Sequence, residues 1–215
     1  MHSWSDEFLG RVSGDASDYC SAACLRALPG LTCCSPQAPE AIGARFLLFL
    51  RDSSAAAALD LSWREANGAV IAQLAQSLPD LVVVSHGWLE EPAPDSPDPQ
   101  SRWMFAVKDA YLARGKAAVM LVDWSGGKKG HAIQGNGIDY AQSAANVRTV
   151  GMMIGRLLLD WKIEERALLL GFSLGAHVVS QAGKYVQAHG KQARKVKECH
   201  ALDPAGESLV TCSSD

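Results

Sequence analysis

The chain predicts an α/β fold built on a doubly wound, mostly parallel sheet, and three observations predict it. Residues 81–85 (Leu-Val-Val-Val-Ser) and 117–123 (Ala-Ala-Val-Met-Leu-Val-Asp) are nearly continuous apolar runs, the pattern of strands buried on both faces. Strand-like and helix-like segments alternate along the chain, as right-handed βαβ crossovers do. At 215 residues and 48% hydrophobic composition, the chain is long enough for one substantial core and short enough for a single domain.

Taken in order, residues 44–51 form a strand between Gly43 and Asp52-Ser53-Ser54, followed by a soft, alanine-rich connection. The runs at 81–85 and 117–123 belong in the middle of the sheet. Between them, residues 90–99 carry four prolines, which remove backbone donors and disfavour helix, so a surface loop is expected there. Residues 102–114 read as a crossover helix. The clearest helix follows, with Val147, Val150, Ile154, Leu157, Leu158 and Trp161 on one face at three- and four-residue steps. Residues 167–170 supply a strand, 176–189 a helix, and 195–202 a last strand that delivers Asp203-Pro204-Ala205-Gly206. The basic stretch 191–197 reads as a solvated turn.

The strand at 167–170 runs into Gly171-x-Ser173-x-Gly175 and then a helix, the strand, sharp turn and helix that present a nucleophilic serine at the apex. The two glycines suit a turn so tight that a Cβ would clash with neighbouring backbone. A serine hydroxyl is a weak nucleophile at neutral pH. Acyl transfer therefore needs a histidine base, a carboxylate to orient it, and donors aimed at the developing oxyanion. Asp203, just after an apolar strand, stands at the carboxyl edge where α/β sheets place functional groups. Leu174 offers its backbone N–H at a helix start, where unpaired donors and the positive dipole end coincide. A second oxyanion donor is expected from the backbone of Trp88, in the Ser85-His86-Gly87-Trp88 segment that leaves the 81–84 strand.

Taken together, these pieces resemble the pancreatic lipase and lipoprotein lipase family of α/β-hydrolases. The resemblance rests on Val-Val-Val-Ser-His-Gly-Trp at 82–88, Trp103-Met104, Val-Asp-Trp-Ser at 122–125, Asp139-Tyr140 with 146–151, Gly-Phe-Ser-Leu-Gly-Ala-His at 171–177 and Leu-Asp-Pro-Ala at 202–205, in the family's order. It implies Ser173 as nucleophile, Asp203 as triad acid, the backbones of Trp88 and Leu174 as oxyanion hole, and Gly171 and Gly175 as elbow glycines. The implied activity is hydrolysis of lipid esters, of the triacylglycerol lipase or phospholipase A1 type, at a lipid–water interface. The implied location is secreted.

The chain also departs from that family. There the catalytic histidine follows the acid after a disulfide-bounded lid, and a C-terminal β-sandwich comes later. Here no histidine follows Asp203, so no catalytic histidine is identified and the expectation is a partial catalytic domain over 41–215, truncated after the strand that carries the acid. Taken as complete, the chain would lose turnover by up to about 10⁶-fold, the scale of a missing triad member. Of the upstream histidines, His86 adjoins the oxyanion segment and is expected to pack and hydrogen-bond there. His177 should be a satisfied polar group on the elbow helix, and His200 should lie on the sheet face opposite Asp203. His2, His131 and His189 carry no functional expectation. Trp88, Trp103, Trp124 and Trp161 are expected in the core or the pocket wall.

The remaining expectations come from composition. A net charge of −3 with scattered Lys and Arg gives no footprint for nucleic acid. No apolar run approaches the roughly 18 residues of a spanning helix, and no secretory leader is visible at the start. Residues 1–40 hold Cys20, Cys24, Cys33 and Cys34, and Cys199 and Cys212 flank the last motif. A disulfide-linked N-terminal segment is preferred to free thiols or zinc, with the connectivity open among about 15 pairings. Neither a catalytic metal nor an organic cofactor has a motif. A contrasting reading is a catalytically inert lipid- or protein-binding homologue, motivated by the missing histidine and lid.

Overall fold

The computed structural model describes residues 36–50, 59–78, 80–115, 117–128, 138–190 and 195–205. Cys20, Cys24, Cys33, Cys34, Cys212, His2, His131 and Gly206 lie outside them, as does most of the 1–40 segment. Six strands form one sheet: β1 (Arg45–Phe49), β2 (Leu59–Ser62), β3 (Asp80–Ser85), β4 (Ala117–Asp123), β5 (Ala167–Phe172) and β6 (Glu198–Leu202). Their order is β2-β1-β4-β3-β5-β6. The pairs from β4 through β3 and β5 to β6 are parallel, while β1 runs antiparallel to both β2 and β4. The fold is the expected doubly wound, mostly parallel α/β sheet, with an antiparallel margin.

The helices are α1 (Pro39–Ile42), α2 (Trp63–Ala66), α3 (Ala69–Ser77), α4 (Pro99–Ala113), α5 (Ile138–Trp161) and α6 (Leu174–His189). Strand alternation sends successive side chains to opposite faces, and the core divides accordingly. Leu81, Val83, Met120, Val122 and Leu169 pack with Ile154, Leu157, Leu158 and Trp161 of α5 and Val178, Val179 and Ala182 of α6. Val82, Val84, Val119 and Leu121 pack on the other face with Met104 of α4. Both faces of the central strands are thus covered, which is why β3 and β4 lack polar alternation.

The region between β1 and β3 holds three elements that the sequence reading left as connection. β2 alternates half-buried Leu59 and Leu61 with exposed Asp60 and Ser62. At its end Ser62 starts α2 through a capping box, with the Ser62 N–H donating to Glu65 Oε2 at 2.8 Å and the Glu65 N–H donating to Ser62 Oγ at 3.5 Å. Trp161, at the end of α5, is fully buried and donates its Nε1–H to the Ala66 carbonyl at 3.0 Å, which fastens α2 to the core. Among the described residues no helix is long and apolar enough to cross a membrane.

Candidate active site

β5 ends at Phe172, and the chain reverses at Ser173 with φ 54° and ψ −121° before entering α6. A non-glycine residue at positive φ is held there only by its surroundings. The Ser173 N–H donates to the Leu202 carbonyl at 3.0 Å, and the Ser173 carbonyl accepts from the Ala176 N–H at 3.1 Å. A Cβ on Gly171 would stand 2.1 Å from the Gly175 carbonyl oxygen, and one on Gly175 would stand 2.3 Å from the Ser85 carbonyl oxygen. Both glycines are therefore sites of close backbone approach. Ser173 is left half-exposed at the apex, and Leu174 begins α6 with its N–H in the first turn, where no intrahelical partner exists.

The turn after β3 lies directly against this elbow, since a Cβ on Gly87 would stand 2.9 Å from the Cβ of Ser173. Its peptides are held by named partners. His86, buried, takes the Trp124 N–H on Nε2 at 3.0 Å, so in the neutral ring Nδ1 carries the proton and donates to the Gly87 carbonyl at 2.7 Å. The Trp124 indole stacks on the imidazole, with centroids 5.3 Å apart, and donates its Nε1–H to the His86 carbonyl at 3.0 Å. In a trans peptide the carbonyl and the following N–H point in opposite directions. Fixing the Gly87 carbonyl on His86 therefore also fixes the direction of the Trp88 N–H. His86 is a scaffold of the turn, in line with its expected packing role.

Asp123, buried at the end of β4, accepts the Ser125 N–H at 3.0 Å and lies 3.5 Å from His86 Nε2. Burial pushes its carboxyl up, but His86 and the Ser125 hydroxyl and N–H outweigh that, and the group sits at about 2.

Asp203 follows β6 immediately. Phe172 and Leu202 are register partners, so Ser173 and Asp203 leave adjacent parallel strands at the same level. Asp203 is exposed, with φ 41°. The turn beyond it is pinned by His177, whose Nε2 lies 2.7 Å from the Ala205 carbonyl, which makes Nε2 the protonated nitrogen. His200 shares the face of Glu198, 3.0 Å from its Oε2, and His189 donates from Nδ1 to the Tyr185 carbonyl at 2.9 Å. Cys199 lies half-buried on β6. Among the described residues no cluster of three or more His, Cys, Asp or Glu side chains could hold a metal.

The sequence reading missed two residues of this region. Glu90, expected on a surface loop, turns inward and is 8% exposed. Its Oε2 accepts the Gly87 N–H at 2.5 Å and its Oε1 accepts the Trp103 Nε1–H at 3.0 Å. The other is His177 as the anchor of the Asp203 turn. Nothing local in Glu90-Glu91-Pro92 marks which of two acids turns inward.

The Lipase family model matches residues 14–214. Phospholipase A1 4 of Polistes dominula is 31% identical over 145 residues, covering 65% of this chain and 43% of its own. Phospholipase A1 VesT1.02 of Vespa tropica is 36% identical over 110 residues, or 48% and 36% of the two chains. Hepatic triacylglycerol lipase of Rattus norvegicus is 33% identical over 134 residues, or 59% and 23%. The matched part is less than half the length of each of these relatives. A solved sugar hydrolase from Lactococcus lactis superposes with a TM-score of 0.33 at 21% identity over 64% of this chain and 49% of its own, too slight a likeness to inform the site. With a family match along nearly its whole length, the chain belongs to the Lipase family, the pancreatic lipase type that its motifs resemble.

Proposed function

We propose that the protein hydrolyses lipid carboxylic esters, of the triacylglycerol or phospholipase A1 type, with Ser173 as nucleophile. The observation that carries the reading is the strained, half-exposed Ser173 packed against Gly87 of the β3 turn. Ser173 Oγ attacks the acyl carbonyl carbon while its proton passes to a histidine base. The negative charge that develops on the carbonyl oxygen is met by the N–H groups of Trp88 and Leu174. Collapse breaks the ester C–O bond, the alcohol leaves with the proton, and water hydrolyses the acyl-enzyme by the same path.

Asp203 is the carboxylate that orients the base. None of the described histidines is assigned as that base: His86 has both ring nitrogens engaged, and His177 is committed to the Ala205 carbonyl. The proposal leaves the base unassigned, with secretion and a lipid–water interface as its working setting. The test is hydrolysis of phosphatidylcholine, triacylglycerol and short p-nitrophenyl esters by protein expressed from the complete coding sequence. Activity should vanish in Ser173→Ala, and activity that survives there contradicts the assignment.

The engagement of His86 and His177 also favours a second reading, an inert lipid-binding homologue. It predicts fatty-acid binding to this chain without turnover in any longer form.

A further inference from the structure

Glu90 is a buried acid a few residues from the site, and the mechanism above does not use it. A Cβ on Gly87 would stand 2.9 Å from the Ser173 Cβ and 3.3 Å from Glu90 Oε2, so the carboxylate borders the place where an oxyanion would form. A negative charge there disfavours a second one unless donors bind it. Two donors do so, one on each oxygen: the Gly87 N–H and the Trp103 indole N–H.

We propose that Glu90 is a positioning residue for acyl transfer: by clamping the Gly87 N–H against Trp103, its carboxylate fixes the oxyanion turn. The proposal rests on the ester hydrolase reading. Gly87 has no side chain, so the turn can be held only by its backbone groups. The peptide joining His86 to Gly87 is gripped at both ends, its carbonyl by Trp124 Nε1 and its N–H by Glu90. The next peptide is gripped at its carbonyl by His86, leaving the Trp88 N–H aimed by planarity. Leu89, at φ 64°, makes the reversal that brings Glu90 back under the turn. Trp103 in turn meets Phe172, the residue before the nucleophile, edge to face with centroids 6.0 Å apart. The clamp thus links the oxyanion turn, α4 and the end of β5, and it ties donor position to nucleophile position. A carboxamide could accept only one of the two N–H groups, because its other end is itself a donor.

The experiment compares wild type, Ser173→Ala, Glu90→Ala, Glu90→Gln and Trp103→Phe, all expressed from the complete coding sequence. The readouts are kcat and KM on p-nitrophenyl butyrate, melting temperature, and the Gly87 amide signal from glycine-labelled protein. In Glu90→Ala, kcat should fall about 10- to 100-fold with KM held within about twofold, less than the loss of a whole oxyanion donor. Glu90→Gln should fall between Glu90→Ala and wild type. Trp103→Phe, which keeps the bond to Gly87 but removes the donor on the other carboxylate oxygen, should also lower kcat, by less than Glu90→Ala does. The Gly87 amide should move upfield and exchange faster in Glu90→Ala, and do so to a smaller extent in Trp103→Phe.

An unchanged kcat in folded Glu90→Ala overturns the proposal. So do kcat losses in Glu90→Ala and Trp103→Phe that simply track melting temperature. If Glu90→Ala does not fold, Glu90→Gln and its Gly87 amide signal decide the matter by the same criteria. A wild type without Ser173-dependent turnover removes the functional reading, and with it this role, while the Gly87 amide still reports whether the clamp exists.

Discussion

The Ser173 N–H donates to the carbonyl of Leu202 at 3.0 Å, continuing the β5–β6 ladder one step past the last paired residues. The bond ties the strained apex of the elbow to the residue just before Asp203. Nucleophile and proposed acid are therefore brought level by one parallel strand pair.

The elbow glycines are expected to tolerate no side chain. Gly175→Ala drives its methyl into the Ser85 and His86 carbonyls, at 2.3 and 2.5 Å, and should cost more than about 3 kcal/mol or prevent folding. Gly43→Ala is the control, because Gly43 has φ 62° but open space around it, so only the backbone term of about 1 kcal/mol applies. Urea unfolding of both variants checks the contrast, and equal costs would contradict it.

Trp124→Phe keeps an aromatic ring over His86 but removes the donor to the buried His86 carbonyl. The expected loss is about 1–3 kcal/mol of stability, the cost of leaving that acceptor without its partner. A drop in kcat with little change in KM should accompany it, since the same bond holds the turn proposed to supply the oxyanion donor. Thermal melts and steady-state kinetics on a soluble ester read the two effects separately.

Removing the His177 imidazole should loosen the turn that carries Asp203. His177→Phe preserves bulk but leaves the Ala205 carbonyl without the contact at 2.7 Å. Turnover should fall about 10-fold or more, as expected when an orienting group is displaced, and Ser173 should remain reactive in part. Wild-type turnover in the folded variant would show that this contact does not position the acid.

Acid should destabilise the protein through Asp123. Its folded value of about 2 lies below the 3.8 of the free side chain, so the unfolded chain binds the proton first. The stabilisation is present above about pH 4 and is lost as pH falls toward about 2. Asp123→Asn should flatten that limb of the stability profile, which urea midpoints measured from about pH 5 down to pH 2 will show. An unchanged slope would contradict the role of this carboxylate.

The parts of the fold legible in the sequence are those whose local pattern and tertiary fate coincide. β3, β4 and β5 are apolar because both faces of the sheet are covered, and α5 carries a long stripe, so their residues announce them. β2 and α2 have four residues each, too few to show a period, although the Ser62–Glu65 capping box was a readable start signal. The antiparallel direction of β1 leaves no mark on its own residues, because apolar content does not encode strand polarity. At the site, Gly171 and Gly175 were legible because close backbone approach dictates their type, and they frame Ser173 between them. Glu90 was not, because a proline-rich surround reads as solvated loop, whereas in the fold the acid turns inward to Gly87 and Trp103.

The central claim is that Ser173 is the nucleophile, and covalent labelling tests it most directly. Protein from the complete coding sequence would be treated with a lipid-like fluorophosphonate, and its intact and peptide masses compared with those of Ser173→Ala. A single adduct on the peptide containing Ser173, absent from the variant and formed in step with loss of esterase activity, is the predicted result. An adduct elsewhere, or hydrolysis that persists without Ser173, would contradict it.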